Sequence, residues 1–255
     1  MKNLIRNPLV VLVLSFFAMW LSAQIGVFFR KRQPSLEQAE REDRDFITGA
    51  TLTLLALIIG FSFSMAIERY DLRKNYEEAE ANAIGTEYVR ADLLSTDDAA
   101  RVRALLKDYL DQRILFYQTS DERELQQANA RTAQLQTQLW STVRAPAQPT
   151  AVLALAVSGM NDVLNSQGYT QAAWRNRIPV GAWSLMLALA ICSNLLVGYT
   201  AHRAQAGVTR FLVLPLVLCV AFFLIADLDS PRRGVIHVVP QNLISLAESL
   251  HGLRL

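Results

Sequence analysis

The sequence predicts an all-α, polytopic membrane protein: four transmembrane helices with a helical soluble insert between the second and the third. Three observations carry this. Of 255 residues, 52% are hydrophobic and 19% charged, and the apolar residues gather in four blocks with the charges between them, as in a multi-pass membrane protein rather than a large soluble core. No useful stretch alternates apolar and polar residues with the period of two that a half-buried strand needs. The second apolar block, finally, runs into a charged segment without a helix breaker, so one long helix is expected to leave the membrane and continue in water. A net charge of +2 is too small to argue for a nucleic-acid partner. Cys192 and Cys219 both fall inside apolar blocks and read as small buried hydrophobes, not as a disulfide or a metal site.

The first block, Leu9 to Phe29, follows Lys2 and Arg6 and ends on Arg30-Lys31-Arg32. Leu21-Ser22-Ala23 resembles a signal-peptide cleavage site, but the apolar run continues past it and stops at three basic residues, as a retained helix does. Gln33 to Asp45 reads as a solvated loop turning at Pro34-Ser35. The second block, Phe46 to Ile67, has 22 residues and no charge, which at about 1.5 Å per residue covers a hydrocarbon core of roughly 30 Å. From Glu68 the composition turns charged, yet no Pro occurs between Phe46 and Leu94, and the helix is expected to persist to Leu94.

Ser95-Thr96-Asp97-Asp98 forms a break and an N-cap cluster. Ala99 to Tyr117 then places Val102, Leu105, Leu106, Tyr109 and Leu110 at helical spacing. Thr119-Ser120-Asp121 caps a further helix reaching Val143, with Glu124 completing a capping box. Ala145 to Pro149 is a linker, Thr150 to Leu164 another helix, and Asn165-Ser166-Gln167-Gly168 its end. The third block is Ile178 to Tyr199, with Pro179 at its first turn. The fourth is Val208 to Ala226, with Arg210 near one end and Pro215 inside; the short connection makes these two an antiparallel hairpin. Val235 to Val239 is a short extended piece and Gln241 to Leu255 a short amphipathic helix. The domains expected are thus residues 1–67 (spans one and two), 68–177 (soluble bundle), 178–228 (the hairpin) and 229–255 (tail). Four spans put both termini and the bundle on one side of the membrane; the basic residues flanking the spans divide between the two sides, and the cytoplasmic placement of the bundle is taken forward.

The inventory for catalysis is thin. His202, His237 and His251 are isolated in sequence. Glu77, Glu78, Glu80 and Glu87 lack the Glu-x-x-His pairs of bundle metal sites and read as solvated or paired with Arg69, Arg73, Lys74 and Arg90. There is no phosphate loop and no nucleophile elbow; no enzyme, metal or cofactor is expected. A membrane hydrolase would need His237 to meet Asp227 and Asp229.

The second apolar helix offers more. Thr48, Thr51, Leu55, Ile58, Ser62 and Arg69 share one sector, with Ile59 beside it, and Thr53, Gly60 and Ser64 lie opposite. If copies of this helix surrounded an axis, the first sector would form a narrow apolar neck with polar rings, the kind of constriction that gates by dewetting. The simpler alternative is packing between helices, with the hydroxyls bonded to their own backbone. Arg69, Arg73 and Lys74 follow at the mouth, where they would either favour anions in a vestibule or anchor the membrane edge. Asp227, Asp229, Arg232 and Arg233 read as an interfacial charge knot in preference to a cation site, since two arginines offset two carboxylates.

The runs Gly60-Phe61-Ser62-Phe63-Ser64-Met65-Ala66, Glu68-Arg69-Tyr70-Asp71-Leu72-Arg73 and Glu80-Ala81-Asn82-Ala83-Ile84-Gly85-Thr86, with the later Asp227-Leu228-Asp229-Ser230-Pro231-Arg232-Arg233-Gly234, resemble the signature of the bestrophin-like membrane family of bacteria and plants. The resemblance covers the chain from about Phe46 onward. It implies kinship to bestrophins, pentameric anion channels whose second span lines a neck of aliphatic and aromatic rings. On that basis the chain is expected to be a homo-oligomer, a pentamer, in the bilayer of a bacterial inner membrane, passing small anions such as chloride. A neck spaced i, i+4, i+8 would use Leu55, Ile59 and Phe63, whereas the polar sector would use Leu55, Ile58 and Ser62 with Thr51. Bestrophins also carry an acidic calcium clasp after the fourth span, for which Asp227 and Asp229 are a poor substitute, so calcium control is not implied. The alternative is a non-conducting membrane-anchored scaffold or sensor whose bundle binds a partner.

Overall fold

The structure, a computed structural model, describes residues 7–32, 38–144, 153–200 and 210–252. Among them every regular element is helical. In chain order these are α1 (Pro8–Lys31), α2 (Gln38–Arg90), a 3-10 turn (Ala91–Leu93), α3 (Thr96–Gln118), α4 (Glu122–Arg144), α5 (Leu153–Arg175), α6 (Val180–Thr200), α7 (Arg210–Asp229) and α8 (Gln241–Gly252). Among the described residues, four helical stretches each hold a segment long and apolar enough to cross a membrane: Pro8–Lys31, Glu42–Leu93, Leu153–Thr200 and Leu212–Asp229. The protein is therefore the all-α polytopic membrane protein that its sequence predicts.

The chain divides into two compact units. The first comprises Met1–Arg69 and Arg177–His237. Here α1 opens with Pro8 in its first turn, and the side chain of Asn7 accepts a hydrogen bond from the Leu9 N–H at 3.2 Å, satisfying one of the donors a helix start leaves over. Arg30 and Lys31 lie in the last turn, where they suit the helix dipole. α1 packs against α6 and α7. The contact with α6 is backbone to backbone: a Cβ on Gly26 would stand 2.1 Å from the Leu195 carbonyl oxygen, and one on Gly198 2.1 Å from that of Ala23. Only glycine fits both positions, and such close approach is how membrane helices gain van der Waals contact where lipid gives no hydrophobic drive. Ser22 Oγ donates to the Ile191 carbonyl across the same contact at 2.6 Å. Outward, Leu9, Phe17 and Phe28 of α1 and Val213 and Val217 of α7 are exposed, which a lipid surround accommodates.

The second unit comprises Tyr70–Asn176 and Val238–Leu255. Its core gathers Ile84 of α2, Val102, Leu106, Tyr109 and Leu110 of α3, Leu135 and Leu139 of α4, Met160 and Val163 of α5, and Leu243 and Leu250 of α8. α3 packs against α4 and α8. Ser95 caps α3, its side chain accepting from the Asp98 N–H at 3.3 Å. The expected capping box at α4 takes another form: the Thr119 hydroxyl donates to Glu124, and Asp121 Oδ1 accepts from the Arg123 N–H at 2.7 Å.

Several expected boundaries move. α2 begins at Gln38, so the stretch read as loop up to Asp45 is already helical from there. α5 does not end at Asn165–Gly168 but runs to Arg175. Ser166 returns its hydroxyl to the Val163 carbonyl at 2.8 Å, and Thr170, Ala173 and Trp174 beyond it are buried; packing of that face overrides the weak helix propensity of the polar run. The segment expected to be a short extended piece, Val235 to Val239, begins in a bend at Val235 and Ile236 and continues as open chain. The linker at Ala145–Pro149 and residues 33–37 lie outside the described residues.

Candidate pore helix and its charged collar

α2 is a single α-helix of 53 residues, continuous through the step from Ile67 to Glu68. Its buried residues recur at helical spacing along one seam: Thr48, Leu55, Ser62 and Ala66 in the apolar part, then Arg73, Glu77, Glu80, Ala81, Ile84 and Glu87. This seam runs through the sector singled out in the sequence. Leu55 is 1% and Ser62 5% exposed, which takes both off any surface that could face a common axis. Thr51, Ile58 and Ile59 are half-buried and Phe63 is exposed. The Thr51 hydroxyl donates to its own helix at the Ile47 carbonyl, 2.8 Å away, and Thr53 does so to Gly49 at 2.9 Å. The opposite face is open. Thr53 is exposed, Leu57 is 51% and Phe61 62% exposed, and these three are spaced i, i+4, i+8.

The basic residues after the span part company. Arg69 lies 3.9 Å from Asp229, Arg73 is buried, and Lys74 is exposed. Asp229 also accepts the Ile178 N–H at 2.9 Å, and Arg177 donates to the Asp229 carbonyl at 3.0 Å. Asp227 accepts from the amides of Val235 and Ile236, both at 2.7 Å. At the end of α7 both aspartates thus accept from main-chain amides, and Asp229 also faces Arg69. Arg233 is exposed and Arg232 half-buried. His237 is exposed, its ring 3.2 Å from the Val235 carbonyl, while Asp227 is held by amides. No group of three or more His, Cys, Asp or Glu that could hold a metal ion occurs among the described residues.

In the second unit Glu77, Glu80 and Glu87 of α2 are buried rather than solvated, whereas Glu78 is exposed. Glu80 accepts from Arg113 Nε at 2.5 Å, Thr170 Oγ1 at 3.1 Å and Tyr117 Oη at 3.3 Å, with the Glu80 and Arg113 side chains wholly buried. Burial, with the Glu80 charge added, pushes the Tyr117 phenol well above the ordinary tyrosine range. Burial would lower the Arg113 guanidinium, but the Glu80 charge overrides it and holds the proton more firmly. Glu77 accepts from Asn242 Nδ2 at 2.6 Å and the Leu243 N–H at 2.9 Å, serving as a cap for α8 from a distant helix.

These features define a polytopic helical membrane protein built on one helix whose apolar half keeps an open face. A family description, the bestrophin-like domain, matches residues 12–243, and the chain belongs to that family. Among solved structures it is similar to a variant of a bacterial bestrophin homologue from Klebsiella pneumoniae, at 11% identity over 96% of this chain and 98% of that one, with a TM-score of 0.67. A second variant of that homologue gives 12% identity, 93% and 99% coverage and a TM-score of 0.64. A crystal structure of a membrane protein gives 11%, 94%, 97% and 0.67. At such identities the likeness speaks to the fold. No curated protein matches the chain.

Proposed function

We propose that the protein is a homo-oligomeric ion channel of the inner membrane that passes small anions such as chloride, with the apolar half of α2 lining the conduit and the soluble unit in the cytoplasm. The observation that carries this reading is the exposed register Thr53–Leu57–Phe61 on a helix that does not break at the membrane edge. A neck at i, i+4, i+8 spacing built from Leu55, Ile59 and Phe63 would start on a residue buried in the protomer; the register four residues apart through Leu57 and Phe61 is open. Copies of that face around an axis, five by the family resemblance, would give rings of aliphatic and aromatic side chains that gate by dewetting. Lys74, exposed one turn beyond Tyr70, supplies positive charge that attracts anions.

The second reading, a non-conducting scaffold or sensor, draws on the burial of Leu55 and Ser62, which treats that sector as ordinary packing and leaves the open face to lipid. Two measurements separate the readings. The mass of the detergent-solubilised complex is expected to correspond to about five copies, and the purified protein in planar bilayers is expected to carry current that reverses at the chloride equilibrium potential. A monomer or dimer, or a well-folded oligomer without anion-dependent current, would overturn the channel.

A further inference from the structure

One carboxyl group is sealed inside the second unit without a hydrogen-bond donor. Glu87 of α2 is fully buried, and neither of its carboxylate oxygens has a hydrogen-bond partner among the described residues. An ionised carboxylate in such a place has lost hydration with no hydrogen bond to replace it. The group is pressed onto α5: a Cβ on Gly159 would stand 2.1 Å from Glu87 Oε2 and 2.6 Å from Arg90 Nη1, so α5 closes there only because Gly159 has no side chain. Arg90, three residues along α2, turns Nη1 toward the Leu155 carbonyl at 3.4 Å. From α5 the charge acting on Glu87 is Asp162, of the same sign and exposed. Asp92, on the 3-10 turn that also packs against α5, is engaged by Arg103.

We propose that Glu87 is a proton-binding latch at the seam of α2 and α5: as a neutral carboxylic acid it lets α5 close over Gly159, and on losing its proton it drives the seam open. Burial, against a lowering contribution from Arg90 and with a raising one from Asp162, pushes the closed-state group up to about 8. The sign follows. In the open state Glu87 meets water and ionises in the ordinary carboxylate range, whereas in the closed state it keeps its proton until about pH 8. Between those limits the opening equilibrium rises with pH by up to about tenfold per unit, and it levels off above about pH 8, where both states are ionised. Because α2 also bears the proposed conduit face, seam opening is placed to alter current. That consequence rests on the channel reading, but the proton site does not.

The test is amide hydrogen exchange of the full-length protein in detergent between pH 5 and 9, corrected for intrinsic rates and read at residues 83–90 and 157–163. Protection in the wild type is expected to fall by up to about tenfold per pH unit and then flatten near pH 8. Glu87→Gln is expected to abolish the dependence, and Asp162→Asn to keep it while lowering the pH at which it flattens. Glu87→Met serves in the same role should the glutamine variant fail to fold. A wild-type seam indifferent to pH, or a pH response unchanged in the Glu87 variants, would sink the latch without touching conduction. A responsive seam in a protein without current would sink only the channel.

Discussion

The side chains of Glu80 and Arg113 are shut away from solvent together, and each is tolerable there only because of the other. Three donors, from Arg113, Thr170 and Tyr117, converge on one carboxylate, and the guanidinium also lies 4.4 Å from the Phe116 ring centroid. Removing one partner leaves a bare charge in the core. Glu80→Ala is therefore expected to cost about 3–5 kcal/mol, whereas the double change Glu80→Leu with Arg113→Met recovers most of that loss, because it removes both charges and keeps the volume. Denaturant titration in detergent of the wild type, Glu80→Leu, Arg113→Met and the double variant reads the coupling as a double-mutant cycle, and additive losses would show that the pair is not coupled. None of this was legible in the sequence. Glu80 precedes Arg113 by 33 positions, and a charged residue in a helix that looks solvated gives no sign that a remote helix will cover it. The signal that does exist is the spacing: Arg73, Glu77, Glu80, Ile84 and Glu87 continue at three and four residues the seam that Leu55 and Ser62 begin, so extending the apolar periodicity into charged residues would have found them.

At the scale of the element, α2 shows what helical periodicity can and cannot say inside a membrane. In water one face of a helix is polar and announces its exposure. Between Phe46 and Ile67 both faces are apolar, so the sequence marks Thr51, Leu55 and Ser62 as a distinct sector without saying whether it looks inward or outward. Its lack of breaks and its continuation past Glu68 were readable, since those depend on composition and on the absence of proline, whereas its start at Gln38 was not. Orientation is set by packing with other helices, and the structure turns Leu55 and Ser62 inward and Leu57 and Phe61 outward. Two substitutions follow. Leu55→Ala is expected to lower stability by on the order of 1–2 kcal/mol, chiefly the cavity contribution, since lipid rather than water is the alternative surround, and to leave ion selectivity alone. Phe61→Ala is expected to do the reverse: little change in thermal midpoint, but a wider and better-hydrated neck with larger single-channel current. If the truncation at Leu55 alone altered conduction, the assignment of faces would be inverted.

For the whole molecule, each unit joins two stretches that are distant in sequence: the first collects Met1–Arg69 with Arg177–His237, the second Tyr70–Asn176 with Val238–Leu255. The fold class and the number of spans followed from the four apolar blocks. The membership of the tail did not, because α8 is short and its address is written in Glu77 of α2 rather than in itself. Asn242 and the Leu243 amide supply the donors that the buried Glu77 carboxylate uses, and Leu243 and Leu250 complete the core. A chain ending at Pro240 is expected to lose both donors and that apolar contact together, and to show a lower thermal midpoint and faster proteolysis of the second unit than a chain carrying Leu243→Ala alone. The arrangement also bears on synthesis. Glu77 leaves the ribosome 165 residues ahead of the asparagine that will hold it, so the second unit stays unfinished until α8 has been made, after all four of the apolar stretches described above.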